Sequence, residues 1–256
     1  MKLTTWNVNG IRARLTHVID FLRDEAPDVL CLQETKVLDD GFPREPLEDE
    51  GYNIECFGQK SYNGLAVLSR QPVENVVRNL PDDPSDAERR VLGCNIGDLM
   101  LLGLYVPNGQ EVGSERYHHK LDWLRRLRAF LDTSYATSEQ VALCGDFNVT
   151  FDDKDVHDPA AYRERILCSS DERKALRSVL AFGLQDLLRA HHPEGGIWTW
   201  WDYQAGMAQK DQGLRIDYVL ATPPLAERCT GVVVHKDLRT RKAPSDHVPV
   251  TAIFAD

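Results

Sequence analysis

Apolar runs of strand length alternate along this chain with stretches whose apolar residues recur every three or four positions. The first kind of run predicts a β-strand and the second an amphipathic helix. On that basis Lys2–Asn7 is a first strand, Arg12–Asp24 a helix ending before Pro27, and Asp28–Leu32 a buried strand. Gly64–Ser69, Val73–Val77, Val91–Asn95 and Leu99–Val106 follow as a run of strands. Their clustering, with turns as short as Ile96-Gly97-Asp98, predicts antiparallel pairing. The longest helix is expected over Ser114–Thr133, with Ser114 as N-cap and Leu121, Leu124, Leu127 and Leu131 on its apolar face. Gln140–Cys144 is another buried strand, and Asp171–Phe182 a helix capped by Ser170 or Asp171 and stopped at Gly183. Ile197–Trp201, Ile216–Leu220, Val232–His235 and Val248–Phe254 return to strand. With no repeat, low-complexity tract or linker, residues 1–256 read as one domain whose site lies between two sheets.

Composition narrows the class. An apolar content of 42% supports a substantial core, and no stretch approaches the ~20 apolar residues of a transmembrane helix. The N-terminus reads as a strand rather than a signal peptide, so a cytoplasmic protein is expected. Cys31, Cys56, Cys94, Cys144, Cys168 and Cys229 form no Cys-x-x-Cys pair and read as reduced thiols. A net charge of −10 excludes a bulk basic nucleic-acid binder, not an enzyme with a local basic strip. The acidic Pro81–Glu88 segment reads as a solvated loop.

Short acid, amide and histidine motifs stand at the ends of several of these strands. Strand ends on a shared rim are where α/β enzymes place chemistry. Glu34 follows Val29-Leu30-Cys31-Leu32-Gln33, where a carboxylate can hold an oxygen-loving cation. Asn7 and Asn9 flank Val8 and can share a face, although Asn9 also fits turn chemistry before Gly10. Asp146 and Asn148 follow a buried strand and would share a face in extended geometry, with Phe147 packed inward. An Asp217–His247 or Asp246–His247 hydrogen bond would raise the imidazole pKa and fix its tautomer. Tyr105 ends Leu101-Leu102-Gly103-Leu104 and fits either a phosphate contact or a cap on the core edge. Metal-assisted hydrolysis of a phosphodiester needs this kit: a metal carboxylate, a water-activating group and donors for developing charge.

Trp6-Asn7-Val8-Asn9-Gly10-Ile11-Arg12, Leu32-Gln33-Glu34-Thr35-Lys36, Tyr62-Asn63-Gly64, Glu88-Arg89-Arg90-Val91, Leu104-Tyr105-Val106-Pro107-Asn108 and Gly145-Asp146-Phe147-Asn148 occur in that order. Trp198-Thr199-Trp200-Trp201-Asp202-Tyr203, Gly213-Leu214-Arg215-Ile216-Asp217-Tyr218 and Pro244-Ser245-Asp246-His247 complete the series. Together they resemble the exonuclease III / AP endonuclease family of the endonuclease–exonuclease–phosphatase superfamily, over essentially the whole chain. The resemblance implies a DNase I-like four-layer α/β sandwich of two mixed β-sheets flanked by helices. It implies Mg²⁺-dependent cleavage 5′ to abasic sites in double-stranded DNA, with Mn²⁺ as a substitute, and removal of 3′ blocks and 3′→5′ exonuclease action. It implies a base excision repair enzyme that works as a monomer, without a membrane. By position, Glu34 is the metal ligand, supported by Asp246 and Asn9. Asp146 activates water with Asn148, Asp217 pairs with His247, and Asn7 and Tyr105 hold phosphate and leaving group. Trp200 and Leu214 match the abasic-sugar pocket, and Arg90, Tyr62, Asn63 and Asn108 match substrate contacts.

Asn9 stands where some animal-type relatives carry aspartate, and Gln110-Glu111 replaces an arginine that some insert into DNA. The Asp152–Cys168 loop lacks their asparagine-rich pattern, leaving the balance of endonuclease to exonuclease open. The alternatives are a phosphatase of the same superfamily or a catalytically weak nucleic-acid-binding regulator. The tryptophan block weighs against the first, and the intact Gly-Asp-Phe-Asn and Ser-Asp-His blocks against the second.

Overall fold

The computed structural model describes residues 1–84 and 88–255, so the Ser85–Ala87 part of the acidic loop lies outside the described residues. Among the described residues, twelve strands form two mixed sheets. The strands of the first are β1 (Lys2–Asn7), β2 (Val29–Gln33), β3 (Asn53–Phe57), β4 (Leu65–Ser69), β11 (Cys229–Val234) and β12 (Val250–Phe254). Their order is β11-β12-β1-β2-β4-β3. The second holds β5 (Glu74–Arg78), β6 (Val91–Ile96), β7 (Leu99–Tyr105), β8 (Val141–Asp146), β9 (Gln185–Asp186) and β10 (Asp217–Ala221). Here the order is β5-β6-β7-β8-β10-β9. Each sheet has one parallel pair at its centre, β1 with β2 and β7 with β8, which fixes where the strand ends meet.

Alternation along the strands splits the core into layers. Val29 and Cys31 face the second sheet and join Leu101, Cys144 and Val219 between the sheets. Leu30 and Leu32 face outward onto helix Ile11–Glu25 through Phe21 and Leu22. On the far side, Leu102, Leu104 and Leu143 pack under the helices Glu115–Ser134 and Ser170–Leu180. The result is the expected α/β/β/α sandwich, with helices covering both outer faces.

Several local expectations change. The run of strands after Gly64 does not stay together: β4 inserts between β2 and β3, while β5, β6 and β7 build the other sheet. β3 itself, with polar Asn53 and Glu55 on an edge, lacks the apolar run that marked its neighbours. Ile197–Trp201 is not a strand. The N–H groups of Thr199 and Trp200 bond Leu214, whereas that of Trp201 bonds Asp246, so no ladder continues beyond isolated bridges. The helix from Ser170 is capped by Ser169, whose hydroxyl and Glu172 form a reciprocal capping box. Ser114 caps the long helix as expected, accepting from the Tyr117 N–H, but Leu121 is only half-buried. The buried stripe runs through Tyr117, Lys120, Trp123, Leu124, Leu127, Phe130 and Leu131. Asp83 in the acidic loop is not solvated either, because it pairs with Arg126 at 2.8 Å.

Candidate active site

Register brings the strand-end motifs to one rim. Asn7 is paired with Gln33 across β1 and β2, which sets Glu34 beside it. Tyr105 and Asp217 are the partners of Asp146 on the two sides of β8. The sheets then face these ends to each other. Gly145 makes the last step possible. A Cβ there would stand 1.9 Å from the Leu104 carbonyl oxygen, so any side chain would force β8 away from β7 and move Asp146.

One asparagine joins the two sheets. Asn7 Nδ2 donates to Glu34 Oε1 at 2.8 Å and to Asp146 Oδ2 at 2.9 Å. Asp146 Oδ1 accepts the Asn148 N–H at 2.9 Å. His247 Nδ1 lies 2.9 and 3.1 Å from the two oxygens of Asp217, and its Nε2 stands 3.6 Å from Asp146 Oδ2. The Asp217 carboxylate holds the Nδ1 proton and turns Nε2 toward the rim. Ligand atoms of Glu34, Asp146 and His247 all lie within 4.8 Å of one another, a group that could hold a metal ion.

Burial and crowded charge tune these groups. Burial, helped by the charges of Asp217 and Glu34, pushes the Asp146 carboxyl up to about 7 against the pull of His247 and Asn7. Burial disfavours the charged His247, yet Asp217 and Asp146 together push the imidazole up to about 10. Burial, then the charges of Glu34 and Asp146, pushes the Tyr105 phenol well above its ordinary range, which keeps it a proton donor. A carboxyl near neutrality beside a cationic imidazole is an acid–base pair poised for proton transfer.

Asp246 and Asn9 adjoin this group rather than join it. Asp246 accepts from Asn9 Nδ2 at 2.9 Å and from the Trp200 indole N–H at 3.0 Å. Although burial opposes its ionisation, His247 and these donors hold its carboxyl below the ordinary range. Asn9 gives its carboxamide oxygen to the Lys36 ammonium, which also pairs with Glu34 at 2.8 Å. Backbone geometry sets this arrangement: Asn9, Glu34, Lys36, Asn63 and Asn148 all have left-handed φ, between 46° and 59°. Such conformations are sparse for Glu and Lys and gather where a site over-determines them.

Asn148 and the tryptophans depart from expectation. Asn148 does not continue the strand to share a face with Asp146; the chain turns, and its side chain bonds Val106 O and Asn108 Nδ2. The strand expected over Ile197–Trp201 would put Trp198 and Trp200 on one face, and they do not share one. Trp198 packs with Trp201 and Val248, while Trp200 lies against the Val156–Leu167–Leu214 cluster. Leu214 is fully buried behind Trp200. Arg90 is buried, paired with Glu88 at 2.7 Å, with its guanidinium 4.9 Å from the centre of the Tyr105 ring. Tyr62 stands exposed on a turn pinned to the segment after Glu34, where the Lys36 N–H bonds Asn63 O.

Sequence reasoning missed several supports. Ser245 Oγ donates to Asn7 O at 2.7 Å, and Thr199 Oγ1 accepts the N–H groups of Ile216 and Asp217. Buried Arg215 pairs with Asp155 and Asp186, tying the 152–168 loop to the start of β10. Lys36 follows Glu34 by two residues in the Leu32–Lys36 motif, a spacing that suffices to suspect it.

A model of the Endonuclease/Exonuclease/phosphatase family matches residues 4–247. The chain belongs to this family. It is 33% identical to exodeoxyribonuclease III of Haemophilus influenzae, over 99% of this chain and all of the relative. Its fold matches an AP endonuclease from Archaeoglobus fulgidus with a TM-score of 0.96 and 38% identity, covering both chains completely. It matches equally, at 0.96 and 40% identity over both complete chains, a 3′ phosphatase from Neisseria, NExo, solved with a product DNA hairpin.

Proposed function

We propose that this chain is a Mg²⁺-dependent DNA repair nuclease. It hydrolyses the phosphodiester 5′ to an abasic site and clears blocked 3′ ends of duplex DNA by 3′ phosphatase, phosphodiesterase and 3′→5′ exonuclease action. The names of its full-length relatives support this reading. The observation that carries it is the Asp146–His247–Asp217 array beside Glu34, with Asn7 tying both sheets.

The donor set fits a hard divalent cation. It is rich in carboxylate oxygens, and the burial and neighbouring negative charge that lift Asp146 are offset by added positive charge. Glu34 would hold Mg²⁺ or Mn²⁺, with the Asn9–Asp246 pair flanking it. When bound, the ion neutralises phosphate charge. Asp146 takes the proton of the attacking water, and Asn148 aims Asp146 through its N–H. His247, cationic and backed by Asp217, donates a hydrogen bond to a phosphate oxygen. Tyr105 donates toward the phosphate and leaving oxygen, whereas both amide protons of Asn7 are given to Glu34 and Asp146, so Asn7 holds those carboxylates in place rather than the phosphate. Trp200, backed by Leu214, lines the pocket for a baseless sugar, and Arg90, Tyr62, Asn63 and Asn108 border the substrate path. The catalytic unit is one domain acting as a monomer. Among the described residues no helix is long and apolar enough to cross a membrane.

Two labelled duplexes with Mg²⁺ test the reading: one with a central tetrahydrofuran analogue, one undamaged with a recessed 3′-phosphate end. Internal incision 5′ to the analogue is the expected result. Loss of 3′ phosphate or a 3′ ladder without incision would make this a 3′-end enzyme and point to the Asp152–Cys168 loop. Inertness on both would overturn the nuclease reading.

A further inference from the structure

Helix Glu115–Ser134 carries one charge in its buried stripe. Lys120 has no exposed surface, and its neighbours on that face are Tyr117, Trp123, Leu124 and Leu127. An ammonium without water needs a partner for each of its protons. Lys120 Nζ finds them in Glu172 Oε1, in Asn148 O at 2.6 Å and in Asn108 O at 3.0 Å. Glu172 is equally buried. Its oxygens also accept the Leu167 N–H at 3.1 Å, the Ser169 N–H at 3.1 Å and the Ser169 hydroxyl at 2.7 Å.

One ammonium therefore gathers the loop after β7, the turn after β8 and the first turn of helix Ser170–Leu180, whose Glu172 in turn accepts the Leu167 N–H at the end of the 152–168 loop. Two of its three bonds go to main-chain carbonyls of residues that flank the rim. The same two residues bond to each other, Asn108 Nδ2 donating to Asn148 Oδ1 at 3.1 Å. Asn148 then donates its N–H to Asp146 Oδ1 at 2.9 Å. A buried ion pair is a weak source of stability, because apolar residues of the same volume often serve as well. What apolar residues cannot do is grip two carbonyls at once.

We infer that Lys120 is a positioning residue for the hydrolytic reaction: by clamping the Asn108 and Asn148 carbonyls it sets the Asn108–Asn148 pair and thereby the aim of Asp146. The clamp rests on the nuclease reading of Asp146 given above, and it adds a residue that touches neither substrate nor metal. Its effect falls on kcat and not on DNA binding.

The test compares full-length proteins on the tetrahydrofuran duplex with Mg²⁺. Lys120→Met alone strands the Glu172 carboxylate, so the informative variant is Lys120→Met with Glu172→Gln, which removes both buried charges. Its kcat should fall at least about tenfold, since small misplacements of a reacting group carry such penalties, with KM within about threefold. Leu127→Ala, in the same buried stripe, supplies a variant of lowered Tm that keeps kcat. A loss of kcat in Leu127→Ala as large as in the double variant would reduce Lys120 to a stabilising role and overturn the inference. Parent kcat in the double variant, with Asp146→Asn inactive, would overturn it while leaving the nuclease reading intact. Normal turnover by Asp146→Asn would sink that reading itself. Should the double variant not fold, Asn108→Ala decides by its split: Asn108 is exposed, so the variant should fold, and the relay predicts a fall in kcat at saturating duplex, whereas a rise in KM alone would show only a lost substrate contact and overturn the inference. Parent kcat in Asn108→Ala would break the relay.

Discussion

His247 Nε2 stands 3.6 Å from Asp146 Oδ2, too far for a good hydrogen bond and close enough for an ion pair. The gap between them is where the sheets' two sets of strand ends meet. Asp217 secures the other imidazole nitrogen, so the two halves of the acid–base pair are held from opposite sides.

Asp146→Asn should therefore abolish turnover while sparing DNA binding. The carboxamide matches the shape of the carboxylate, and its oxygen can still accept from the Asn148 N–H. It cannot take a proton. Loss of general-base catalysis costs about 10²–10⁴-fold in kcat. Single-turnover cleavage measured beside a binding titration checks this, and normal turnover would remove Asp146 from the reaction.

The same variant should show an inverted stability profile without metal. Asp146 titrates near an ordinary 3.8 when unfolded and at about 7 when folded. A raised pKa means a contribution fully present below 3.8 and lost as pH rises through about 7. His247 has the same sign, from 6.5 up to about 10. In EDTA, Asp146→Asn should thus melt higher than the parent at pH 8, with the gap narrowing toward pH 5. A gap that widened on acidification would contradict burial as the cause that raises Asp146.

Chelation should stop cleavage, and Mg²⁺ or Mn²⁺ should restore it. Glu34→Gln should raise the metal concentration needed for half-maximal rate, because it removes a carboxylate from the Glu34–Asp146–His247 group that could hold an ion. Activity indifferent to EDTA would dispose of the metal-centred scheme. An unchanged metal requirement in Glu34→Gln would place the ion elsewhere.

The rim was legible because its residues terminate apolar runs: Glu34 after β2 and Asp146 at the end of β8 are polar groups where alternation alone would place apolar ones. Residues that hold the rim were not. Lys120 and Arg215 belong to types that usually lie in water, and nothing local says that their charges are met by Glu172 and Asp155, far along the chain. The spacing of Tyr117, Lys120, Leu124, Leu127 and Leu131 places a lysine on an apolar helical stripe, the one local signal of its burial. Trp198–Trp201 misled because apolarity reports burial and not pairing. Its backbone bonds divide between Leu214 and Asp246, and that division depends on the tertiary fold.

Arg215 offers the sharpest test of this hidden layer. Its guanidinium has no exposure and forks between Asp155, at 2.6 Å from Nε, and Asp186, at 2.7 Å from Nη2. Asp155 is also fully buried and accepts the N–H groups of Phe151 and Asp152, which begin the 152–168 loop. Arg189 still reaches Asp155 when Arg215 is gone, but Asp186 loses its guanidinium partner and keeps only the Arg189 N–H among the described residues. Arg215→Met should cost about 3–5 kcal/mol, the usual penalty for breaking a buried pair from one side. For a chain of this size that is a fall in Tm of roughly 10 °C. Arg215→Lys should not rescue it, because one ammonium cannot reproduce the planar fork between two carboxylates. Below the melting range, the Met variant should retain Asp146-dependent hydrolysis but shift the ratio of internal incision to 3′-end trimming, as the loop loses its anchor. Thermal melts and the two-duplex assay read both effects, and a Met variant of parent Tm and parent ratio would show that the network anchors nothing.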